Sequence, residues 1–262
     1  MKVGFAQFAP VFGDKSANLS RVNRLIGKTR GGLIVLPELF NTGYAFTSKR
    51  ELGKLAEPAE GPTALFLKAL CRENDLCIVA GFAEQAEGRY YNSAVLVTRD
   101  GVQGVYRKAH LFMHEKHWFE PGDSGFTPFC CQGARIGILV CWDWIYPEAM
   151  RSLTVNGADI VCHCANLVLP YCQAAMVTRS IENRIFIITA NRTGREKRGR
   201  FDFHFTGGSQ IVAPGGRLLV RVRESQEALR TVDISPGTAR NKKATRLNDL
   251  LADRRTDLYF RK

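Results

Sequence analysis

The sequence is short of several features that would settle its class at once. Its eight cysteines, at 71, 77, 130, 131, 141, 162, 164 and 172, include no CxxC pair, so the ligand spacing of a closed zinc site is missing. Most of them sit inside apolar runs such as LCIVAGF and ADIVCHC. That pattern reads as buried free thiol, not as a secreted disulfide framework. The opening MKVGFAQFAPVF has no apolar core of a signal peptide, because Gln7 and Pro10 interrupt it. No apolar run is long enough to span a bilayer. A reducing, cytoplasmic setting is expected. No linker, low-complexity tract or clear internal repeat divides the 262 residues. We therefore expect one domain over 1–262, with its compact part ending near residue 235 and a tail of low apolar content over 236–262. A chain of this length buries enough core to fold without disulfides.

What is abundant is positive charge. The net charge is +12, and from Arg192 onward 17 Lys and Arg face 8 Asp and Glu. REKRGR (195–200) and ARNKKATR (239–246) are the densest clusters. Basic clusters raise the possibility of a binding or scaffold protein that touches nucleic acid. The aromatic–basic interleaving of single-strand binders is missing here, so a solvated rim or an ion-paired subunit contact is the expected reading.

Strand and helix patterns alternate along the chain. Strands are expected at 3–9, 32–38, 76–84, 135–141, 158–166 and 185–194, and helices at 14–29, 62–75, 146–157 and 172–184. Two hairpins are expected, over 90–108 with its turn at Arg99-Asp100-Gly101, and over 209–222 with Pro-Gly-Gly at its turn. Units of the βαβ kind mixed with hairpins mean an α/β fold with mixed sheets.

Three buried strands end in chemistry. GLIVLPE closes on Glu38, GVYRK on Lys108 with Glu115 shortly after it, and GILVC on Cys141. A carboxylate after an apolar run faces a polar site or is buried at a high energetic cost. In open α/β sheets ligands gather beyond the carboxyl ends of strands, where these three groups are able to converge. A thiol is a weak nucleophile until it loses its proton, and Glu38 is placed to accept it. Lys108 favours the thiolate and holds the negative charge that develops on an attacked substrate. A helix following Cys141 would add positive potential, with the Trp142 N–H as a second donor. Taken singly, each residue also fits a plain role: a core cysteine, a solvated Glu or Lys, and Glu115 paired with Lys116 or Arg107.

The segments LPELFNTGY, YRKAHLF and GILVCWDWIYPE, in that order, resemble the three signature blocks of the carbon–nitrogen hydrolase superfamily of nitrilases and amidases. The likeness extends to the opening strand, ANLVLPY, RSIENR and the DRRTDLYF tail. It implies a four-layer α-β-β-α sandwich with two mixed β-sheets, no metal or organic cofactor, and a homodimer or higher homo-oligomer with the tail at the interface. It implies Glu38 as general base, Lys108 as oxyanion lysine, Cys141 as nucleophile and Glu115 as a second glutamate that positions substrate. The implied reaction is hydrolysis of a small amide or nitrile to an acid and ammonia through a thioester. An N-carbamoyl or ω-amide amidohydrolase is the alternative. The closest likeness is to short stand-alone nitrilases or aliphatic amidases, from which Cys164 departs by standing where proline is expected. Tyr44, Trp142, Trp144, Asn166 and Tyr171 are candidate pocket walls. Cys162-His163-Cys164 does not read as a metal site, because His163 points away from its two neighbours.

Overall fold

The computed structural model describes residues 1–259. Strand β1 (Lys2–Gln7) opens the chain and helix α1 (Lys15–Ile26) returns it. The Asp14 side chain accepts from the Ala17 N–H at 2.9 Å, which satisfies one donor that a helix start leaves open. Strand β2 (Gly32–Val35) is buried throughout. Leu33 and Val35 enter one core and Ile34 another, as alternation requires in a strand covered on both faces. Helices α2 (Lys49–Leu55) and α3 (Pro62–Asn74) follow, then the antiparallel run β3 (Leu76–Ala86), β4 (Arg89–Thr98) and β5 (Gly101–Arg107). The short helix α4 (Glu115–Trp118) leads to β6 (Phe129–Cys131), β7 (Ala134–Val140), α5 (Pro147–Val155), β8 (Ile160–Ala165), α6 (Cys172–Asn183) and β9 (Phe186–Asn191). Hairpin β10 (Arg195–Arg198)/β11 (Phe201–His204), hairpin β12 (Gln210–Ala213)/β13 (Arg217–Arg221) and strand β14 (Ala228–Asp233) complete the described strands.

Two six-stranded mixed sheets result, in the orders β14-β1-β2-β3-β4-β5 and β13-β12-β9-β8-β7-β6. Each has a parallel centre, β1-β2-β3 and β7-β8-β9, flanked by antiparallel strands. Val22 and Ile26 of α1 and Leu67, Leu70 and Cys71 of α3 pack on the outer face of the first sheet with Ile34, Ile78 and Val95. The inner faces meet in one core, where Val3, Leu33, Val79 and Leu96 join Ile136, Ile138, Ile160 and Ile188. Leu153 of α5 and Met176 of α6 belong to the cluster on the second sheet. The order helix, sheet, sheet, helix is the expected four-layer sandwich. Among the described residues no helix is long and apolar enough to cross a membrane.

Two sequence-based expectations need correction. The chain does not pass from β7 straight into a helix. A 3₁₀ turn, Cys141–Ile145, intervenes and α5 starts only at Pro147. Tyr146 is held extended at φ −90°, ψ 104°, the conformation a following proline imposes. Strands β6, β10, β11 and β14 were not expected, because their short, charge-rich segments carry little alternation. The basic clusters lie on an exposed rim, as expected, and are in part ion-paired within this chain. Arg198 pairs with Glu51 and Arg195 with Asp202, Arg240 pairs with Asp159 at 3.0 Å, and Lys242 donates to the Asn183 and Arg184 carbonyls. Leu250, Arg254 and Tyr259 of the tail border a groove of about 960 Å³ against α5. Phe260, expected with Tyr259 at the tail's contact, lies outside the described residues.

Candidate active site

The site forms where the ends of β2 and β5 in one sheet meet the ends of β7 and β8 in the other. Beyond β2 the backbone keeps pairing with β3: Leu36 N–H donates to the Val79 carbonyl and Phe40 N–H to that of Gly81. A Cβ on Gly81 would lie 2.5 Å from the Glu38 Cα, so glycine there lets this segment lie flat against β3 and turns the Glu38 side chain inward. Glu38 is fully buried. Lys108 leaves the end of β5, where its N–H donates to the Asn92 carbonyl at 2.8 Å. Its ammonium bonds Glu38 Oε1 at 2.8 Å and Glu115 at 2.8 Å. Asn92 adds a second donor to the same Glu38 oxygen at 2.7 Å. Glu38 Oε2 has no partner.

Glu115, at the start of α4, is buried and not paired with Lys116 or Arg107. It accepts from Lys108, from the Tyr44 hydroxyl at 2.8 Å and from the Phe112 N–H at 3.0 Å. Tyr44 is held from behind. Glu196 of β10 accepts from its N–H at 2.9 Å and from that of Ala45. Glu196 in turn pairs with the fully buried Arg192, whose guanidinium lies 3.9 Å above the Phe205 ring. This ion pair is a positioning element that strand-end reasoning missed. The only sequence signal was Glu196, an acid alone within a basic cluster.

Cys141 sits at φ +43°, a left-handed conformation that costs a non-glycine residue about 1–2 kcal/mol and that pushes the side chain out of the strand line. Several bonds hold the turn. Asp143 accepts from the Val140 N–H at 3.0 Å, the Tyr106 hydroxyl at 2.8 Å and the His110 N–H at 3.1 Å. His163, fully buried on β8, lies 2.9 Å from the Cys141 carbonyl through Nε2. Burial lowers the His163 pKa from 6.5 to about 4 against the pull of that carbonyl, so the ring is neutral and Nε2–H donates. His163 points away from Cys162 and Cys164, which lie in the intersheet core. Among the described residues no group of three or more His, Cys, Asp or Glu is placed to hold a metal ion.

The charges around the sulfur do not favour its anion. Burial, then Glu38, push the Cys141 thiol well above its ordinary pKa; Lys108 pulls the other way, Glu115 adds to the rise, and a bond from the Asn166 N–H lowers it. Lys108 does favour the thiolate, as expected, but it is shared by two carboxylates, and burial together with Glu38 and Glu115 outweighs it. Burial opposes the ammonium's charge, but Glu115 and Glu38 hold its pKa above the ordinary value. Burial, with Glu38 nearby, raises the Glu115 pKa against Lys108.

A narrow cavity opens onto Cys141, bordered by Phe112, Trp142, Trp144, Asn166 and Leu167–Leu169. Trp142 meets Trp144 edge-on at 5.9 Å and Phe112 at 4.8 Å. Of the expected walls, Trp142, Trp144 and Asn166 border this cavity. Tyr44 borders a neighbouring one, with Glu115, Phe201 and Phe203. Tyr171 does not belong. It is 62% exposed at the start of α6, where the loop after Leu169 carries it to the surface.

A buried thiol, a carboxylate with one free oxygen and an ammonium beside them form the set needed to open a carbon–nitrogen bond by acyl transfer. The model of the carbon–nitrogen hydrolase family matches residues 2–244. The chain belongs to this family. As a carbon–nitrogen hydrolase of the nitrilase and amidase superfamily, it is an enzyme that acts on C–N bonds. It is 41% identical to a nitrilase of Pyrococcus abyssi over the full length of both chains. It is 37% identical to an (R)-stereoselective amidase of a Pseudomonas species, over 97% of this chain and 92% of that one. A crystal structure of the carbon–nitrogen hydrolase from Helicobacter pylori G27 superposes with a TM-score of 0.85 at 28% identity, covering 99% and 97% of the two chains.

Proposed function

We propose that this hydrolase cleaves a small amide or nitrile to a carboxylic acid and ammonia, with Cys141 as nucleophile, Glu38 as general base and Lys108 as the oxyanion cation. The observation that carries the proposal is the division of labour at Glu38. One oxygen is fixed by Lys108 and Asn92, while the other is buried without a partner beside a protonated thiol. An unpaired buried carboxylate oxygen next to an S–H is a proton acceptor held ready.

With an amide, the thiol proton passes to Glu38 Oε2 as Sγ bonds the carbonyl carbon. The carbonyl electron pair moves to oxygen, where Lys108 Nζ and the Trp142 N–H stabilise it. On collapse the C–N bond breaks and the nitrogen leaves as ammonia with the proton from Glu38. The acyl group stays as a thioester on Cys141. Water then gives a proton to Glu38 and attacks the thioester; the acid departs and the proton returns to sulfur. With a nitrile, Sγ adds to carbon to give a thioimidate, which water converts by the same route. Glu115, held by Tyr44 and the Phe112 N–H, keeps Lys108 aimed and lies beside the departing nitrogen.

The described tail over 236–259 and the exposed Tyr146, Val155 and Ile181 beside it and on the α5–α6 face support a homodimer through that side. Ammonia release from a panel of nitriles, aliphatic amides and N-carbamoyl compounds tests the reaction. Wild type should turn over at least one amide or nitrile, and Cys141→Ala and Glu38→Gln should abolish that turnover. Undiminished activity in Cys141→Ala rejects the assignment.

A further inference from the structure

Seven asparagines are buried among the described residues, and six of them have a visible structural use. Asn18 bonds the Val11 N–H through Oδ1 and two carbonyls through Nδ2. Asn191 accepts from the Leu167 N–H and donates to the Gly207 carbonyl. Asn41, Asn74, Asn92 and Asn183 each donate through Nδ2. Asn166 alone has neither Nδ2 nor Oδ1 bonded, although it is only 2% exposed. A side-chain amide removed from water with both ends unused weakens the fold. Such a group calls for a partner that the resting protein does not supply.

Its position identifies the partner. Asn166 follows the end of β8, which pairs with β7 just before Cys141, and it borders the same narrow cavity as Cys141. The amide therefore stands within one residue's reach of the sulfur. An acyl carbon on that sulfur brings its own substituent, on the adjacent carbon, to the amide. The remaining walls, Phe112, Trp142, Trp144 and the LVL run 167–169, carry no ionisable side chain. A carboxylate or ammonium placed against these walls loses its water and meets no counter-charge among them. The amide offers one acceptor and one donor end, whose best match is a group that both gives and takes a hydrogen bond. The cavity is narrow, with a volume of about 10 Å³, so that group must be small.

We infer that Asn166 is a specificity determinant that selects short, uncharged acyl chains bearing a hydroxyl on the carbon next to the scissile carbonyl. This rests on the reading that Cys141 carries the acyl group.

Three amides of nearly equal size separate the chemistries: glycolamide with a hydroxyl, propanamide with a methyl, and glycinamide with an ammonium at neutral pH. Ammonia release by wild type should give glycolamide a kcat/KM at least about tenfold above propanamide, with glycinamide lowest. Asn166→Leu and Asn166→Ala should each bring the glycolamide-to-propanamide ratio to about one. Asn166→Leu should also melt at a higher temperature than wild type, because an unpaired buried amide is removed. A wild-type ratio near one, or a ratio kept in both variants, overturns the inference. So does a lower melting temperature in Asn166→Leu, which would mark the amide as bonded to water buried in the fold. Turnover of all three amides without discrimination defeats this inference alone. Absence of turnover on any amide or nitrile defeats the parent reading and this one with it.

Discussion

The two halves of the site are built on opposite plans. On the first sheet, Glu38, Lys108 and Glu115 are locked by charge-assisted bonds of 2.7–2.8 Å from Asn92, Lys108 and Tyr44. On the second sheet, Cys141 occupies a strained φ, Asn166 has no partner for either end of its amide, and His163 Nδ1 is unbonded. The charged half is preorganised, with Glu38 Oε2 alone left free to take a proton. The thiol half is left open, and each unpaired buried group there costs about 1–3 kcal/mol. An acyl-transfer site needs this difference, because charge stabilisation works best when its dipoles are fixed beforehand, whereas binding specificity needs groups that are free to bind.

The sharpest break of this contrast is Lys108→Met. It leaves two buried carboxylates facing each other without their cation, and breaking a buried pair in this way costs about 3–5 kcal/mol. A urea titration should show that loss together with loss of turnover; a variant as stable as wild type would mean that the charged half is not locked as described.

A smaller effect belongs to the thiol half. The unfolded chain's imidazole takes up a proton near pH 6.5, but His163 in the fold does so only near pH 4. Between those values the unfolded state binds more protons, so acid favours unfolding. The stability that His163 confers is complete above about pH 6.5 and drains away as the pH falls towards 4, by on the order of 3 kcal/mol. His163→Gln keeps a donor for the Cys141 carbonyl and does not titrate, so its stability should fall less than that of wild type between pH 6.5 and 4. Parallel curves would show that His163 is not held neutral by burial.

The charged half was the more legible in the sequence. Glu38 and Lys108 end strands whose apolar runs and alternation are readable, and Cys141 ends a third. The supports were not legible, because they are long-range. Arg192 and Glu196 reach Tyr44 across roughly 150 positions of chain, and His163 reads as one more residue of a buried strand until β8 is set beside β7. Tyr171 was misjudged for the converse reason: its neighbours in sequence line the cavity, but the turn into α6 carries its ring outward. The break in helix after Cys141 was readable in principle from Tyr146-Pro147.

The central claim is that Cys141 takes the acyl group and Glu38 takes its proton. Intact-protein mass spectrometry on wild type, quenched in acid during turnover of a slow amide, tests it most directly. The account predicts a mass gain equal to the acyl group, confined to the peptide that contains Cys141, cleared by hydroxylamine and missing from Cys141→Ala. Steady ammonia release with no added mass on that peptide would contradict it.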